Sequence, residues 1–215
     1  METAVTHIAR YAHLLTLPVG SLDGLINLRQ RLCQISGIHL LDETGEYNTP
    51  YVRRIFPDRD MQLITLAHRT QGLISAPGNP LGIHATSDLP QTGLRFINRN
   101  PGSGTRLWLD NELKKLAIPF ETIAGYQHTL NTHLETARAV AEGRADATLG
   151  LQAAAHKFGL SFTPLFHERY DLIFPRDLSV HMDILLNFIQ SGDFRHQLAE
   201  LRGYESTHTG ELVAL

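Results

Sequence analysis

Short apolar runs alternate along the chain with stretches in which apolar residues recur every three or four positions. That alternation of strand-like and helix-like periods predicts an α/β domain. In the first third it predicts a helix over Val5–Leu15 and a strand over Leu14–Val19 closed by the turn Gly20-Ser21. Ser21 then caps a helix over Leu22–Gln34, with Asp23 in its first turn. A short strand, Ile38–Leu41, runs into the polar loop Asp42–Asn48, and Thr49-Pro50 opens a helix over Pro50–Phe56. Met61–His68 and Gly72–Ala76 read as two strands, followed by the turn Pro77–Pro80. Further strands are expected at Leu94–Asn98, Thr122–Tyr126, Ala147–Leu151, Phe162–Phe166 and Asp171–Phe174. Helices are expected at Thr105–Leu116, His133–Glu142 (ended by Gly143), Leu151–Phe158 (ended by Gly159), Val180–Ser191 and Phe194–Leu201, with Tyr204–Leu215 a polar tail.

Composition narrows the class. A hydrophobic fraction of 42% and a charged fraction of 19% over 215 residues suit a folded chain with a real core. The formal net charge of -3 speaks against broad nucleic-acid binding, which needs a basic footprint. One cysteine, Cys33, excludes an internal disulfide framework and a cysteine zinc site. The first residues carry no basic segment before an apolar run, and no stretch is long enough to span a bilayer, so a cytoplasmic location is expected.

The strongest local signal is Phe96-Ile97-Asn98-Arg99-Asn100-Pro101-Gly102-Ser103-Gly104-Thr105-Arg106. A strand feeds a Gly/Ser/Thr loop that opens a helix, where free amide groups and the helix dipole favour an anion. Gly102 and Gly104 let the backbone approach a guest, Ser103 and Thr105 add hydroxyls, and Arg106 carries a charged fork. The loop lacks the Gly-Lys-Ser/Thr of a nucleoside-triphosphate loop and the third glycine of a dinucleotide loop. A plain capped helix after a tight turn accounts for the same residues. Val19-Gly20-Ser21-Leu22-Asp23 and Asn131-Thr132-His133-Leu134-Glu135 are two more hydroxyl-bearing helix starts, the second matching a capping box, Thr-x-x-Glu.

The twelve histidines invite a metal reading, but none sits in a His-x-x-x-His or His-Glu-x-x-His pattern, so no metal and no cofactor are expected. Gly102-Ser103-Gly104 lacks the Gly-x-Ser-x-Gly elbow, and no Ser–His–Asp set can be placed, so no enzyme is expected.

These stretches, with Gly37–Asp42, Gly45–Asn48, Gln71–Ile74, Gly143–Ala147 and Glu168–Leu172, resemble the periplasmic-binding-protein-like domain associated with molybdate and tungstate proteins. In that family it occurs alone, behind a DNA-binding helix-turn-helix, or fused to molybdopterin-biosynthesis enzymes. The resemblance implies an α/β, two-lobed type II fold with an interlobe cleft, residues 1–75 with 168–215 forming lobe 1 and 76–167 lobe 2. It implies a site made of Ser21, Ser103, Gly104, Thr105, Arg106, Thr132 and His133, with His39 and Tyr170 near the hinge. Such domains begin with a strand and a Ser-containing loop; here that first strand is expected to be missing.

The function implied is binding or sensing of a small oxyanion, molybdate or tungstate, held by helix N-termini and hydroxyls. The partner would be a separate DNA-binding domain or protein, with no direct nucleic acid and no membrane. The alternatives are an accessory domain of molybdenum-cofactor biosynthesis and a ligand-free relic acting through protein contacts.

Overall fold

A computed structural model describes residues 15–215; the expected helix over Val5–Leu15 lies outside the described residues except for Leu15, which is not helical. The chain folds as mixed α/β and divides into two compact units. Unit 2 is the continuous stretch Arg69–Glu168, and unit 1 is built from what precedes and follows it. The divisions therefore fall at 68/69 and 168/169, where 75/76 and 167/168 were expected.

Unit 1 contains α1 (Ser21–Arg29), β1 (Ser36–Ile38), α2 (Thr49–Ile55), the first half of β2 (Met61–Ser75) and the last half of the strand Ser161–Pro175. Two helices, Asp183–Gln190 and Gly192–Ala199, and two short strands, Tyr204–Glu205 and Leu212–Val213, complete it. Its core gathers Ile64, Leu66, Leu172 and Phe174 from the long strands against Met182, Phe188, Ile189, Phe194 and Leu198. Ser191 separates the two helices: its hydroxyl donates to the Phe188 carbonyl and accepts from the Phe194 amide, ending one helix and capping the next.

Unit 2 contains the second half of β2, β3 (Phe96–Arg99), α3 (Gly104–Lys115), β4 (Thr129–Leu130), α4 (His133–Ala141), β5 (Ala147–Leu151), α5 (Gln152–Lys157) and the first half of β6, the strand Ser161–Pro175. β5 pairs antiparallel with β2, from Gln71↔Leu151 to Ser75↔Ala147, and parallel with β3, at Phe96↔Ala147 and Ile97↔Thr148. One face of this sheet packs Leu73, Phe96, Ala147 and Leu149 against Leu109 and Leu113 of α3; the other sets Ile97 against Ala139 and Val140 of α4.

Several expectations are corrected. Residues 15–19 form no strand: Leu15 and Leu17 are exposed, so no burial drives pairing, and Pro18 lacks an amide donor. α1 ends at Arg29 rather than Gln34 because the chain turns through Arg31 at φ 62°. The first strand is Ser36–Ile38 rather than Ile38–Leu41, because the Leu40 amide and carbonyl are taken by Asn48. At Thr122–Tyr126, Thr122 ends the 3-10 turn Phe120–Thr122, a turn through Gly125 at φ 89° follows, and pairing begins only at Thr129. The helix expected over Val180–Ser191 is preceded by a 3-10 stretch and starts at Asp183. The tail Tyr204–Leu215 holds two short strands, one pairing Val213 with Leu63 and Leu212 with Ile64 of β2.

The largest correction concerns the two 15-residue strands β2 and β6, each of which was expected as two shorter strands. The polar residues taken for breaks are held within the fold instead. Arg69 salt-bridges Glu168, Gln71 donates to Glu168, and Thr70 meets the His167 ring at 3.3 Å. Both strands thus run unbroken through the points where the chain passes between units.

In unit 1 the loop before α2 hangs on one side chain. Asn48, fully buried at φ 64°, accepts from the Leu40 amide at 2.7 Å and donates to Asp171 Oδ2 at 2.7 Å and to the Ile38 carbonyl at 3.3 Å. Asn48→Ala removes these bonds and puts a less tolerant residue in left-handed backbone. It should lower unfolding free energy by about 2–4 kcal/mol in urea titrations followed by circular dichroism; a loss under about 1 kcal/mol would show that the loop does not depend on this residue.

Candidate functional site

β3 is buried along its length and ends at Arg99. Its parallel neighbours carry the chain away at the same end, so the loop that follows opens directly into α3. Gly102 turns through φ 79°, which a side chain would resist. Ser103 caps α3, its hydroxyl oxygen accepting from the Arg106 amide at 3.2 Å. α3 has no acidic residue in its first turn and two lysines in its last. The amides of Gly104 and Thr105 are among those no intrahelical carbonyl reaches, so the start of α3 keeps its positive field without an internal anion.

α4 is different. Its cap Thr132 accepts from the Glu135 amide at 3.1 Å, and the Glu135 carboxylate accepts from the Thr132 amide at 2.8 Å. The helix therefore carries its own negative group. His133 stands beside Gly150 of β5; a methyl carbon added there would meet its Nδ1 at 3.4 Å, so the glycine leaves room for the ring.

Of the expected residues, Ser103, Gly104 and Thr105 come together at the start of α3, each almost wholly buried. Arg106 is directed elsewhere. Its Nε donates to Asp110 at 2.8 Å, its guanidinium lies 3.9 Å over the Tyr126 ring, and Nη1 reaches the Tyr126 carbonyl at 3.4 Å. Tyr126 in turn donates its hydroxyl to Asp110, and burial together with that carboxylate raises the phenol to about 12. Ser21 belongs to unit 1, where its hydroxyl accepts from the His39 amide at 3.2 Å and so ties α1 to the segment after β1; Gly20, not Ser21, is the cap. His39 and Tyr170 meet edge to face at 5.9 Å in the same unit.

The cation that sequence reasoning passed over is Arg99. It is 6% exposed; Nη2 donates to the Asn131 carbonyl at 2.9 Å, while Nε and Nη1 are buried with no hydrogen-bond partner among the described residues. Burial, reinforced by Arg69 nearby, pulls its guanidinium down to about 10, against the smaller pull of Glu168 and Glu135. The only signal in the sequence was a basic residue ending an apolar strand four positions before Ser103, which reads as an ordinary strand end.

Behind α3 lies a buried relay. Arg69 pairs with Glu168, Gln71 donates its Nε2 to Glu168, and Thr105 donates its hydroxyl to Gln71 Oε1 at 3.0 Å. Unit 2 thus has a helix start with no acid of its own and one hydroxyl cap in the loop after β3, while the Arg99 guanidinium at the end of β3 reaches the Asn131 carbonyl before α4.

Residues 5–190 match a family described as a PBP superfamily domain. The Bacillus subtilis protein YvgK, itself uncharacterized, is 37% identical over 195 residues, covering 90% of this chain and 63% of YvgK. The chain thus spans less than two thirds of that relative. Among solved structures, a putative phosphate ABC transporter substrate-binding protein with bound phosphate from Clostridium perfringens has a TM-score of 0.61 at 12% identity, over 92% of this chain and 85% of that one. The arginine-, lysine-, histidine-binding protein ArtJ from Geobacillus stearothermophilus has a TM-score of 0.58 at 18% identity, over 96% and 85%. Identities this low establish the fold, a type II periplasmic-binding-protein-like one, and nothing finer.

A buried cation with unsatisfied donors weakens the fold. The lowering of the Arg99 guanidinium to about 10 corresponds to about 3 kcal/mol against its charged form. Arg99→Met should therefore raise the unfolding free energy by about 1–2 kcal/mol in denaturant titrations. A clear loss of stability would make Arg99 a structural brace instead.

Proposed function

The chain belongs to the PBP superfamily, and on that footing we propose that it binds a small tetrahedral oxyanion in unit 2, at the start of α3, without transforming it. The guest lies against the amides of Gly104 and Thr105, takes the proton of the Ser103 hydroxyl and is held by the Arg99 guanidinium. The observation that carries the reading is Arg99, the last residue of the strand that leads into α3: a nearly enclosed cation with two nitrogens that lack partners among the described residues, while α3 itself starts with no acid in its first turn. A positive group kept there against its desolvation cost is explained by a negative guest that makes the missing bonds.

Molybdate and tungstate, the guests implied by the sequence resemblance, fall in this class, and so does phosphate, which is bound in the Clostridium perfringens neighbour. Thr132 and His133, at the start of α4, flank the position, with Thr132 still able to donate its hydroxyl proton. In this reading the domain senses or carries the anion for a separate partner, a DNA-binding domain among the candidates.

Titration calorimetry of the full chain with molybdate, tungstate, phosphate and sulfate tests the proposal. At least one anion should bind, and Arg99→Met should weaken it about 100-fold, the scale of a lost charge-assisted pair of bonds. Trp108, the single tryptophan, stacks on Phe166 at 3.9 Å in the second turn of α3 and gives a fluorescence readout of the same event. No heat and no fluorescence change with any of the four would overturn the proposal and favour the ligand-free reading.

A further inference from the structure

Unit 1 carries a groove of about 710 Å³ that the oxyanion reading does not use. It is lined by α2, the loop leading into β2, the start of β2 and the strand Leu212–Val213. Val52 and Phe56, one helical turn apart, close its floor together with Met61 and Leu63, and all four are buried. The strand that forms one wall is apolar and wet: Val213 is half-buried and Leu212 is 63% exposed. That wall is built into the fold. Val213 and Leu212 pair with Leu63 and Ile64, the Thr209 hydroxyl donates to the Leu66 carbonyl at 2.9 Å, and the Gly210 amide donates to the Thr65 carbonyl at 2.8 Å.

The remaining lining is cationic. Among the described residues, Arg53 and Arg59 make no side-chain hydrogen bond or salt bridge. The field of Arg59 reaches Asp58, but both oxygens of that carboxylate are already taken by Arg29. Arg176 donates to Asp60 at 2.7 Å, with both side chains more than half exposed. Three guanidinium groups thus line the groove with one carboxylate, an excess of positive charge in a chain whose formal net charge is -3.

These features define a guest by its chemistry. Guanidinium forks with unused donors favour an anion and grip a carboxylate or phosphoryl group two oxygens at a time. An apolar wall beside them favours hydrocarbon on the same molecule. The volume falls within the roughly 300–1,000 Å³ of small-molecule sites. A docked protein would cover roughly 20–30 residues, more than line this groove. Nucleic acid is disfavoured by the apolar wall and by the negative charge of the chain as a whole. We propose that this groove is a second binding site, for a small amphiphile with an apolar body and one anionic head. The head lies between Arg53 and Arg59, and the body lies along Leu212 and Val213. The site belongs to unit 1 and does not depend on the start of α3.

Titration calorimetry of the full chain at pH 7.5, below micellar concentrations, tests it with decanoate, decyl phosphate, decanol and decyltrimethylammonium. At least one of the two anions should bind, and the tighter of them identifies the head group. Decanol should bind about 30-fold more weakly, having lost the charge-assisted bonds, and the cation should not bind. Shortening the tighter anion by two CH₂ groups should cost about 10-fold. Arg53→Gln combined with Arg59→Gln should weaken that anion about 30-fold and leave decanol unchanged, a split that loosening of the fold would not give. Asp60→Asn removes the competing carboxylate, frees Arg176 and should strengthen the anion about 3-fold. Arg99→Met should change nothing here. Binding of neither anion, decanol as tight as the anions, or the double variant without effect would overturn the proposal, and none of these results bears on the oxyanion site of unit 2.

Discussion

Glu168 cannot be buried alone. A carboxylate at 1% exposure needs a counter-charge and donors for its lone pairs, and both come from the facing long strand: Arg69 supplies the charge, Gln71 an amide. That single requirement sets much of unit 2. It ties together the two long strands where the chain enters and leaves the unit, it orients Gln71, and through Gln71 it holds Thr105 at the start of α3. The polar stretch that seemed to interrupt both strands is thus the part that binds them to each other and to the helix.

Beside this paired network stands Arg99. Among the described residues only one of its three guanidinium nitrogens has a hydrogen-bond partner, and its charge is opposed by burial and by Arg69. Arg106, the arginine more conspicuous in the sequence, has its bonds with Asp110 and its ring contact with Tyr126. Two arginines seven positions apart therefore divide the work: one fastens α3 to the turn beneath it, the other is left with unused donors.

Local signals made part of this legible from the chain alone. β5 was readable because Ala147–Leu151 is a short apolar run between turn signals, and α3 and α4 because hydroxyl caps, glycine stops and the Thr132–Glu135 pairing act within a few residues. The α/β class followed from the alternating periods, and the type II fold from the resemblance. What escaped was whatever depended on distant partners. Arg69-Thr70-Gln71 and His167-Glu168 look like loop by composition and become strand only because they face each other, 97 positions apart in sequence. Arg99 and Arg106 are equally charged in the sequence, and only the positions of Asp110 and Tyr126 decide which of them is neutralised.

The way the chain is divided has a consequence for its synthesis. Unit 2 is one uninterrupted segment, whereas unit 1 is completed by residues from Arg169 onward, and its strand at Met61–His68 gains its pairing with Leu212 and Val213 only about 150 residues later. On the ribosome, the segment that carries the Ser103 loop is complete while the other unit still lacks its last helices and both terminal strands. Unit 2 thus has all its own residues before unit 1 has its own, and a nascent chain halted after Glu168 would carry the Ser103 loop without a finished scaffold around its first 68 residues.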